Sequence, residues 1–464
     1  MTNTIMWYRR DLRLADHQAL AAALAIAAES GGRVVPLFVV DPVLWGRSGA
    51  NRRWFLHGCL ETLDADLRAA GGVGLTVRHG DPATVVPALA AEHDAAVVVY
   101  SQDVGPYGRR RDREVAAALE AAGRELRDAD SNWAVSPGTV SGATAGPFKV
   151  YSAYRRAWLR RELPAPLEVP PLRGLLLDGG SDPMPEKPRP TAAQLPDPGE
   201  DAAHRQLERF LRDRVDGYAQ RRDVPGASGT SGLSPYLRFG CVHPRQILDR
   251  LDHAQPGHEA FASELAWRDF YADVLHHWPE SAWTAWNPAM SAVRTDRGPV
   301  ADERFAAWCV GQTGYPIVDA GMRQLVTSGW MHNRVRMITA SFLVKDLHLD
   351  WQRGARFFMD HLVDGDLPSN NHGWQWVAGC GTDAAPYHRI FSPTRQGERF
   401  DPDGSYVRQW VPELADRARV PDSHVHEPWR APGGPPNGYP SPIVDHATER
   451  LEALARFAAR RGTG

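Results

Sequence analysis

Residues 229–240 read Gly-Thr-Ser-Gly-Leu-Ser-Pro-Tyr-Leu-Arg-Phe-Gly, a loop rich in glycine and hydroxyl groups that leads into an apolar segment. Where such a loop enters a helix, backbone N–H groups and hydroxyls together form a cradle for phosphate. Taken alone the pattern is weak, because Ser and Thr before a helix are more often ordinary N-caps. The loop therefore predicts a phosphate-bearing ligand only together with suitable partners elsewhere in the chain.

Four further segments supply those partners. Residues 264–271 read Glu-Leu-Ala-Trp-Arg-Asp-Phe-Tyr, and residues 329–337 read Gly-Trp-Met-His-Asn-Arg-Val-Arg-Met. Residues 364–367 read Asp-Gly-Asp-Leu, and residues 370–376 read Asn-Asn-His-Gly-Trp-Gln-Trp. The chain has 16 tryptophans, and most of them lie in this half among Asn, Asp and Arg, although tryptophan is usually core filler.

In this order and spacing, the segments closely resemble the photolyase/cryptochrome family, most of all its bacterial class I cyclobutane-dimer photolyases. The resemblance begins at residues 7–14, Trp-Tyr-Arg-Arg-Asp-Leu-Arg-Leu, and runs to residues 439–444, Tyr-Pro-Ser-Pro-Ile-Val. It implies a carbon–carbon lyase with FAD as its cofactor. The implied reaction is the repair of cyclobutane pyrimidine dimers in UV-damaged DNA, by light-driven electron transfer from reduced FAD to a flipped-out dimer.

The resemblance implies an FAD folded in a U at the centre of a helical domain. Arg336 matches an arginine paired with Asp364, and such a pair would stabilise negative charge on the reduced flavin. The pair can equally be a structural salt bridge between helices. Asn370 matches the residue facing flavin N5, where an amide favours the fully reduced anion. The implied cofactor-binding residues are Tyr218, Thr230, Ser231, Gly232, Leu233, Ser234, Trp267, Arg268, Tyr271, Asn333, Arg336, Asp364, Gly365, Asp366 and Asn370, with no metal.

The lesion pocket is also implied by the resemblance. Chemistry on a stacked base requires that the base be flipped out and held between apolar and aromatic faces, and Trp267 and Trp376 suit such a wall. Glu264, if protonated, would donate to a pyrimidine carbonyl and stabilise the radical anion of the dimer. Packing is the commoner role for any one of these residues, but their joint occurrence favours function. The implied catalytic residues are Glu264, Asn333, Met337, Asn370 and Trp376, and the implied DNA contacts are Arg222, Glu264, Trp267, Asn333, Arg334, Trp376 and Gln396.

Electron supply by tryptophans is implied only in part. Trp374 and Trp351 match the first two members of the family's chain, which carries electrons from the surface to the photoexcited flavin. Gly298 stands near the aligned position of the third member. Either Trp283 or Trp286 replaces that member, or photoreduction is slow.

Three residues near the implied flavin depart from the family. Gly232 stands where a basic or polar residue is common, so the backbone must suffice at that point of the loop. Pro368 and His372 replace small residues. We interpret His372 as facing outward rather than as altering flavin solvation.

A second chromophore site is indicated by residues 102–109, Gln-Asp-Val-Gly-Pro-Tyr-Gly-Arg. This segment follows a predicted strand, where an α/β sheet places its ligands. Folate-binding relatives carry an Asn-Glu pair in this loop, and the pair is absent here. The loop is more similar to that of the deazaflavin-binding relatives, so an antenna of 8-hydroxy-5-deazaflavin is favoured over methenyltetrahydrofolate.

The elements that must position these residues follow from periodicity. Short apolar runs alternate with Ala- and Leu-rich stretches early in the chain, which predicts a parallel α/β sheet. Ten prolines between Pro164 and Pro198 indicate a linker wrapped on a surface. Beyond the linker, apolar residues at three- and four-residue spacing predict helices such as Ala262–His277, Gly321–Thr327 and Met331–Leu347, and no strand is predicted there. Strands are predicted at Thr4–Trp7, Val34–Val40, Leu75–His79, Ala95–Tyr100 and near Leu126. We predict a Rossmann-like α/β antenna domain (1–130), an interdomain linker (131–200) and an all-helical FAD-binding catalytic domain (201–464).

Composition excludes several classes of protein. The 464 residues, 43% hydrophobic and 23% charged, are those of a folded chain of two or three domains. No export signal and no apolar stretch of membrane-spanning length occurs, so we expect a cytoplasmic monomer. The net charge of −3 conceals arginine clusters that suit phosphate, although residues 109–111 are better interpreted as solvated helix surface. The four cysteines form no CxxC pair and are interpreted as reduced core thiols.

Three other functions compete with dimer repair. A cryptochrome photoreceptor has the same fold and flavin, but many cryptochromes carry a long C-terminal tail that this sequence lacks, and the implied lesion residues are all present. A (6-4) photolyase uses a histidine pair at the lesion, whereas Asn333 and Met337 stand here. A light-independent flavin oxidoreductase is not favoured, because no GxGxxG fingerprint follows the first strand.

Overall fold

A computed structural model of the protein describes residues 2–140, 146–168, 171–383, 389–436 and 438–460. These residues form two compact units. The first unit comprises the described parts of 1–190, 196–216 and 231–279, and the second comprises 191–195, 217–230 and the described parts of 280–464. The domain boundaries predicted after residues 130 and 200 stay a prediction.

The first unit is built on a five-stranded parallel sheet. Its strands are β1 (Asn3–Tyr8), β2 (Val34–Val40), β3 (Thr76–His79), β4 (Ala95–Gln102) and β5 (Glu125–Ser131), in the spatial order β3-β2-β1-β4-β5. All five predicted strands are present: the four with predicted bounds have ends displaced by no more than two residues, and the fifth contains Leu126. Strand β2 is buried along its whole length, which explains its unbroken apolar sequence. The α/β fold predicted for the start of the chain is thus present.

Helices supply the rest of both units, and no strand occurs beyond residue 201 in the parts that the structure describes. In chain order the α-helices are α1 (Gln18–Glu29), α2 (Pro42–Arg47), α3 (Ala50–Gly71), α4 (Pro82–Glu92), α5 (Pro106–Ala121), α6 (Tyr151–Trp158), α7 (Glu200–Asp213), α8 (Tyr218–Arg221), α9 (Ser234–Phe239), α10 (Pro244–Leu248), α11 (Pro256–His277), α12 (Pro299–Cys309), α13 (Pro316–Ser328), α14 (Asn333–Ser341), α15 (Trp351–His361), α16 (Leu367–Ala378), α17 (Pro393–Phe400), α18 (Ser405–Trp410) and α19 (His446–Ala459). Short 3-10 helices lie at Pro279–Ala282, Pro288–Ala292, Pro412–Leu414, Asp422–His424 and Pro428–Arg430.

The predicted linker is more ordered than its prolines indicate. It contains α6, which the sequence did not predict, and the indole of Trp158 in this helix donates to the carboxylate of Asp269 in α11 at 2.9 Å. Further on, Leu175 and Leu177 exchange hydrogen bonds of 2.9 Å with the backbone of Val34 in β2. The linker therefore wraps on a surface, as predicted, but does so through specific backbone pairing.

The α-helix predicted over 331–347 is shorter than predicted at both ends. It begins only at Asn333, because His332 has extended backbone and its side chain caps the helix by accepting from the N–H of Arg334. From Phe342 to Asp346 the chain continues as a π-helical turn. The α-helical part, α14, thus presents Asn333 in its first turn.

The arginines of α5 do not all face solvent. Arg111 is buried, and its guanidinium lies 2.8 Å from the carboxylate of Asp112. Arg109 donates to the backbone carbonyl of His276 at 2.7 Å, while Arg110 is exposed. The interpretation of residues 109–111 as solvated surface is therefore wrong for Arg111, because its side of α5 faces an interior carboxylate.

Candidate functional site

In the first unit, one face of α11 carries the implied site residues. Glu264, Trp267, Arg268 and Tyr271 are half-exposed, whereas the residues between them are buried. The spacing of three and four residues places these side chains on one face of the helix. Sequence reasoning had named all four, and the structure brings them together as one stripe.

The aromatic part of this stripe has a partner that sequence reasoning missed. Tyr151 of α6 stacks on Trp267 with ring centroids 3.6 Å apart and planes 9° from parallel, and Tyr271 lies 5.4 Å from Trp267. The hydroxyl of Tyr151 donates to the carbonyl of Ser263 at 2.7 Å, which fixes the stack. One face of Trp267 is thus already covered, so only its other face and its edges remain for a ligand within this unit.

The glycine-rich loop is shaped by backbone contacts. Gly232 has φ of 68°, in the left-handed region, and a Cβ there would lie 2.8 Å from Nε2 of Gln206. Gln206 donates to the carbonyl of Ser231 at 2.5 Å, and the N–H of Leu233 donates to Oγ of Ser231 at 3.3 Å. Glycine is therefore required by the turn itself, which gives a physical reason for the departure at this position.

Arg268 contacts α9, the helix that continues this loop. Its guanidinium donates to the carbonyl of Asn132 at 2.7 Å and to that of Leu237 in α9 at 3.1 Å, and it lies 5.4 Å from the ring of Trp133. Helix α9 starts at Ser234, the last residue of the loop. Arg268 therefore holds the element that continues the loop.

In the second unit, an ion pair joins α14 to the segment before α16. The Nη2 atom of Arg336 lies 2.8 and 3.1 Å from the two carboxylate oxygens of Asp364, and Nε donates to the carbonyl of Met331 at 2.8 Å. The Asp364 side chain is only 2% exposed. The predicted pairing is present, and it places a buried negative charge with a fixed cation.

One face of α16 is open. Ser369, Asn370, Gly373 and Trp376 are half-exposed at helical spacing, and a Cβ added at Gly373 would meet no atom within 4 Å. The amide of Asn370 donates to the carbonyl of Ala355 at 3.1 Å, which orients it. The helix surface is therefore uncovered at Gly373.

The opposite face of α16 is closed by residues 281–286. His372 is buried, with Nε2 3.5 Å from Oγ of Ser281, and Gln375 donates to the carbonyl of Ser281 at 2.7 Å. Burial lowers the pKa of His372 to about 3, so its imidazole is neutral at pH 7. The interpretation of His372 as facing outward is wrong, because this side of the helix is covered. Pro368 lies in the first turn of α16, where its missing N–H has no helical acceptor.

Trp374 and Trp351 are both buried in the second unit. The ring of Trp374 packs edge-on against Phe358 at 5.0 Å, and its indole N–H has no hydrogen-bond partner among the described residues. Trp351 lines a cavity of about 260 Å³ together with Arg294 and Arg297. Arg297 is followed in the chain by Gly298, the residue near the aligned position of the third tryptophan, and a glycine supplies no ring.

Two candidate replacements for the third ring lie near these helices. Trp283 is 37% exposed, its carbonyl accepts from the amide of Gln352 in α15, and Arg356 of the same helix lies 5.5 Å from its ring. The backbone N–H of Trp286 donates to the side-chain oxygen of Gln375 in α16 at 2.9 Å.

A basic cleft of about 1000 Å³ also belongs to the second unit. Arg334 in its wall is 3.0 Å from the carboxylate of Asp223, and its guanidinium lies 4.5 Å from the ring of Phe400. The cleft also contains Gln396, which sequence reasoning had named with Arg334. Sequence reasoning missed the other arginines of the cleft, which are spread along the chain: Arg389, Arg395, Arg399 and Arg450.

At the carboxyl ends of β2 and β4 the first unit has a separate polar cluster. The hydroxyl of Tyr107, in the first turn of α5, donates to the carboxylate of Asp41 at 2.6 Å. Asp41 follows β2 and caps α2. The loop that indicated a chromophore thus lies at the edge of the sheet where ligands are expected.

Two family models match the chain. Residues 4–171 match the model of DNA photolyase, and residues 261–459 match the FAD binding domain of DNA photolyase. The class of protein is therefore that of FAD-binding photolyases, with an α/β part followed by a helical part.

Curated relatives cover the whole chain. The deoxyribodipyrimidine photo-lyase of Escherichia coli is 40% identical over 100% of both chains, and that of Streptomyces griseus is 42% identical over 100% of both chains. The chain belongs to the DNA photolyase family.

Solved structures give the same family and a wider range of functions. A class III photolyase from Agrobacterium tumefaciens has a TM-score of 0.88 at 36% identity, covering 100% of this chain and 98% of its own. A Synechocystis cryptochrome has a TM-score of 0.87 at 28% identity, covering 98% and 99%. An archaeal photolyase from Sulfolobus tokodaii, solved with two FAD molecules, has a TM-score of 0.82 at 28% identity, covering 98% and 100%. The fold alone therefore does not separate photolyases from cryptochromes.

Within the described ranges, no three His, Cys, Asp or Glu side chains are placed to hold a metal ion. None of the helices described here is long and apolar enough to cross a membrane.

Proposed function

We propose that this protein repairs cyclobutane pyrimidine dimers in DNA, using light absorbed by bound, reduced FAD. The observation that carries the proposal is that the implied flavin and lesion residues stand on half-exposed helix faces. These are Glu264, Trp267 and Tyr271 on α11, and Asn370 and Trp376 on α16. Residues kept only for packing would be buried like their neighbours. The full-length identity to deoxyribodipyrimidine photo-lyases supports the same substrate.

The residues proposed to bind the cofactor hold FAD and favour its reduced form. FAD, when bound, supplies the electron. In the second unit we assign this role to the Arg336–Asp364 pair, to Asp366 and to Asn370, whose amide is fixed by Ala355. The open space at Gly373 fits a flat ring beside Asn370. The remaining proposed contacts are Tyr218, Thr230, Asn333 and Gly365 in this unit, and Ser231, Gly232, Leu233, Ser234, Trp267, Arg268 and Tyr271 in the first.

The DNA role is assigned to the basic cleft and to the lesion residues. Arginine binds phosphate through a planar fork, which suits the backbone around a flipped-out dimer. Arg334 and Gln396 line the cleft, and Arg222 lies in the same unit. Asn333 and Met337 stand one helical turn apart on α14 and are proposed to contact the dimer with Glu264, Trp267 and Trp376.

An antenna chromophore is proposed at the carboxyl ends of β2 and β4, beside Tyr107 and Asp41. Their hydrogen bond of 2.6 Å orders the loop at the place where such sheets bind ligands. We favour 8-hydroxy-5-deazaflavin there, because the loop resembles that of the deazaflavin-binding relatives. We also propose that the protein acts as a cytoplasmic monomer.

The direct test of the function is repair under illumination. Purified protein, chemically reduced, is mixed with UV-treated DNA, and restored pyrimidines are measured in light and in darkness. Repair only in light is expected, and its absence with normal flavin loading would favour the cryptochrome function that the Synechocystis structure represents. An absorption spectrum taken beforehand should show oxidised flavin bands, with an added longer-wavelength band if a deazaflavin is present.

Trp376→Ala is expected to weaken binding of dimer-containing DNA, because one stacking face is removed. Stacking on an aromatic side chain is worth about 1 to 3 kcal/mol per base. Fluorescence binding assays with damaged and undamaged duplexes measure the change, which should be confined to damaged DNA. Trp283→Ala removes an exposed tryptophan that no proposed DNA contact uses and serves as the control. Unchanged affinity of Trp376→Ala for damaged DNA would remove this residue from the pocket.

Glu264→Ala is expected to lower repair yield more than it lowers binding. The proposed hydrogen bond from its carboxyl strengthens as negative charge develops on the dimer, so its loss acts mainly on the reaction. Quantum yield and affinity are measured on the same preparation. Glu259→Ala removes a carboxylate on the same helix that pairs with Arg155 and should alter neither. Equal losses of yield and affinity in Glu264→Ala would contradict the proposed role.

A further inference from the structure

Two cysteines of the first unit are in contact in its interior. The Sγ atoms of Cys59 and Cys241 are 3.5 Å apart, and both side chains are fully buried. Cys59 lies in α3, and Cys241 follows the residue that ends α9. The other two cysteines, Cys309 and Cys380, belong to the second unit.

The contact is part of a packed interface between α3 and α9. Phe55, one helical turn before Cys59, lies 5.7 Å from the ring of Tyr236 and 5.2 Å from that of Phe239. Gly240, with φ of 67°, ends α9 and turns the chain, which brings Cys241 next to α3. The two sulfur atoms are therefore held together by the packing of two helices.

We propose that Cys59 and Cys241 form an oxidative modification site, at which peroxide-class oxidants join them in a disulfide between α3 and the segment that follows α9. A disulfide has an S–S bond of about 2.05 Å, so the sulfur atoms must approach by about 1.5 Å. The two side chains start from van der Waals contact, so the required approach is short.

The reaction balances with peroxide as the oxidant. One thiol loses its proton, its thiolate attacks a peroxide oxygen and the O–O bond breaks; a sulfenic acid forms, and the departing hydroxide takes up the released proton to become water. The second thiol then attacks that sulfur, the S–S bond forms, and a second water leaves. Two thiols lose two electrons, and the peroxide gains them.

Burial controls the rate of this step. It raises the pKa of the Cys59 thiol well above its usual value, so little reactive thiolate forms in the closed interior. The oxidation therefore requires transient opening of the α3–α9 interface. It is slow in the native protein and faster under conditions that open this interface.

The bridge has two consequences. It closes a loop of 182 residues, which restricts the unfolded chain. It also fastens α9, whose first residue ends the loop Ser231–Ser234. This second consequence rests on the proposed function, since that loop is assigned to FAD. Protein with the Cys59–Cys241 disulfide should release FAD more slowly than protein in which both thiols are free of the bridge.

The test uses the purified holoprotein without substitution. It is incubated with hydrogen peroxide, remaining thiols are alkylated, and peptides are mapped by mass spectrometry without reduction. The expected product is a peptide pair joined through Cys59 and Cys241. The oxidised protein should melt at a temperature higher by roughly 3 °C, and a thiol reductant should return the melting temperature to its original value. If both cysteines are alkylated only after denaturation, or if either is joined to Cys309 or Cys380, the proposal is wrong.

Variants separate the bridge from its effect on the cofactor. Cys241→Ala should lose the cross-link and the thermal shift, whereas Cys309→Ala should keep both. Peptide mapping of the unsubstituted protein decides the matter even if Cys241→Ala does not fold. A bridge with an unchanged rate of FAD release would overturn the cofactor effect alone. Failure of the flavin assignment would be seen earlier, as purified protein without a flavin spectrum.

Discussion

Trp374→Phe should abolish photoreduction of oxidised flavin, while repair by chemically reduced protein stays nearly intact. The proposed tryptophan route supplies electrons only before the repair cycle, so the two activities should separate. The substitution is structurally mild, because the indole N–H of Trp374 has no hydrogen-bond partner in the described residues and its ring packs edge-on against Phe358. Absorbance under illumination with an external electron donor measures photoreduction, and dimer repair is assayed separately.

Trp308→Phe is the matched control, since Trp308 is buried and lies 6.1 Å from Trp374 without belonging to the proposed route. It should photoreduce normally. Replacing Trp283 and Trp286 one at a time then locates the outer end of the route. If Trp374→Phe photoreduces as fast as the unsubstituted protein, the electron route is wrong, although the repair function would stand.

Arg336→Met should produce a protein that is strongly destabilised and poor in FAD. The substitution leaves the carboxylate of Asp364 buried without its cation, and breaking such a pair costs about 3 to 5 kcal/mol. Denaturant unfolding and the ratio of flavin to protein absorbance measure the two effects. Adding Asp364→Leu to Arg336→Met removes the buried carboxylate that has lost this cation and should recover much of the stability without recovering FAD.

Arg323→Met provides the comparison for this series. Arg323 also has one carboxylate partner, Glu413 at 2.7 Å, and one carbonyl partner, Gly311 at 3.0 Å, but no proposed flavin role. It should lose stability and keep its flavin. Equal flavin loss in both variants would mean that Arg336 acts only through stability, and normal flavin content in Arg336→Met would remove it from the cofactor site.

Local patterns in the sequence were enough to predict the sheet, whereas the site residues of α11 were named from the family resemblance. Strand β2 is an unbroken apolar run, and such a run has few alternatives between turn residues. Glu264, Trp267 and Tyr271 repeat at the helical period, so their common face follows from spacing alone. These predictions depend on neighbours in the chain rather than on distant contacts.

Two of the differences from the sequence predictions depend on distant contacts. The burial of His372 is decided by residues 281–286, about 90 positions earlier, and no local pattern records that packing. The stack of Tyr151 on Trp267 and the helix α6 that carries Tyr151 likewise depend on a partner more than 100 residues away. The departure at Gly232 depends on Gln206, 26 positions earlier, whose side chain fills the space that a Cβ would need.

The course of the linker past the sheet has a consequence for solubility. Strand β3 is at one end of the sheet order, and an unpaired edge strand is a template for pairing with another copy of the chain. The N–H of Asp182 donates to the carbonyl of Val77 in β3 at 2.9 Å, and Ser181 accepts from the N–H of Val77. The linker therefore occupies hydrogen-bonding groups that would otherwise recruit a neighbouring molecule, and shortening it across these residues would invite aggregation through β3.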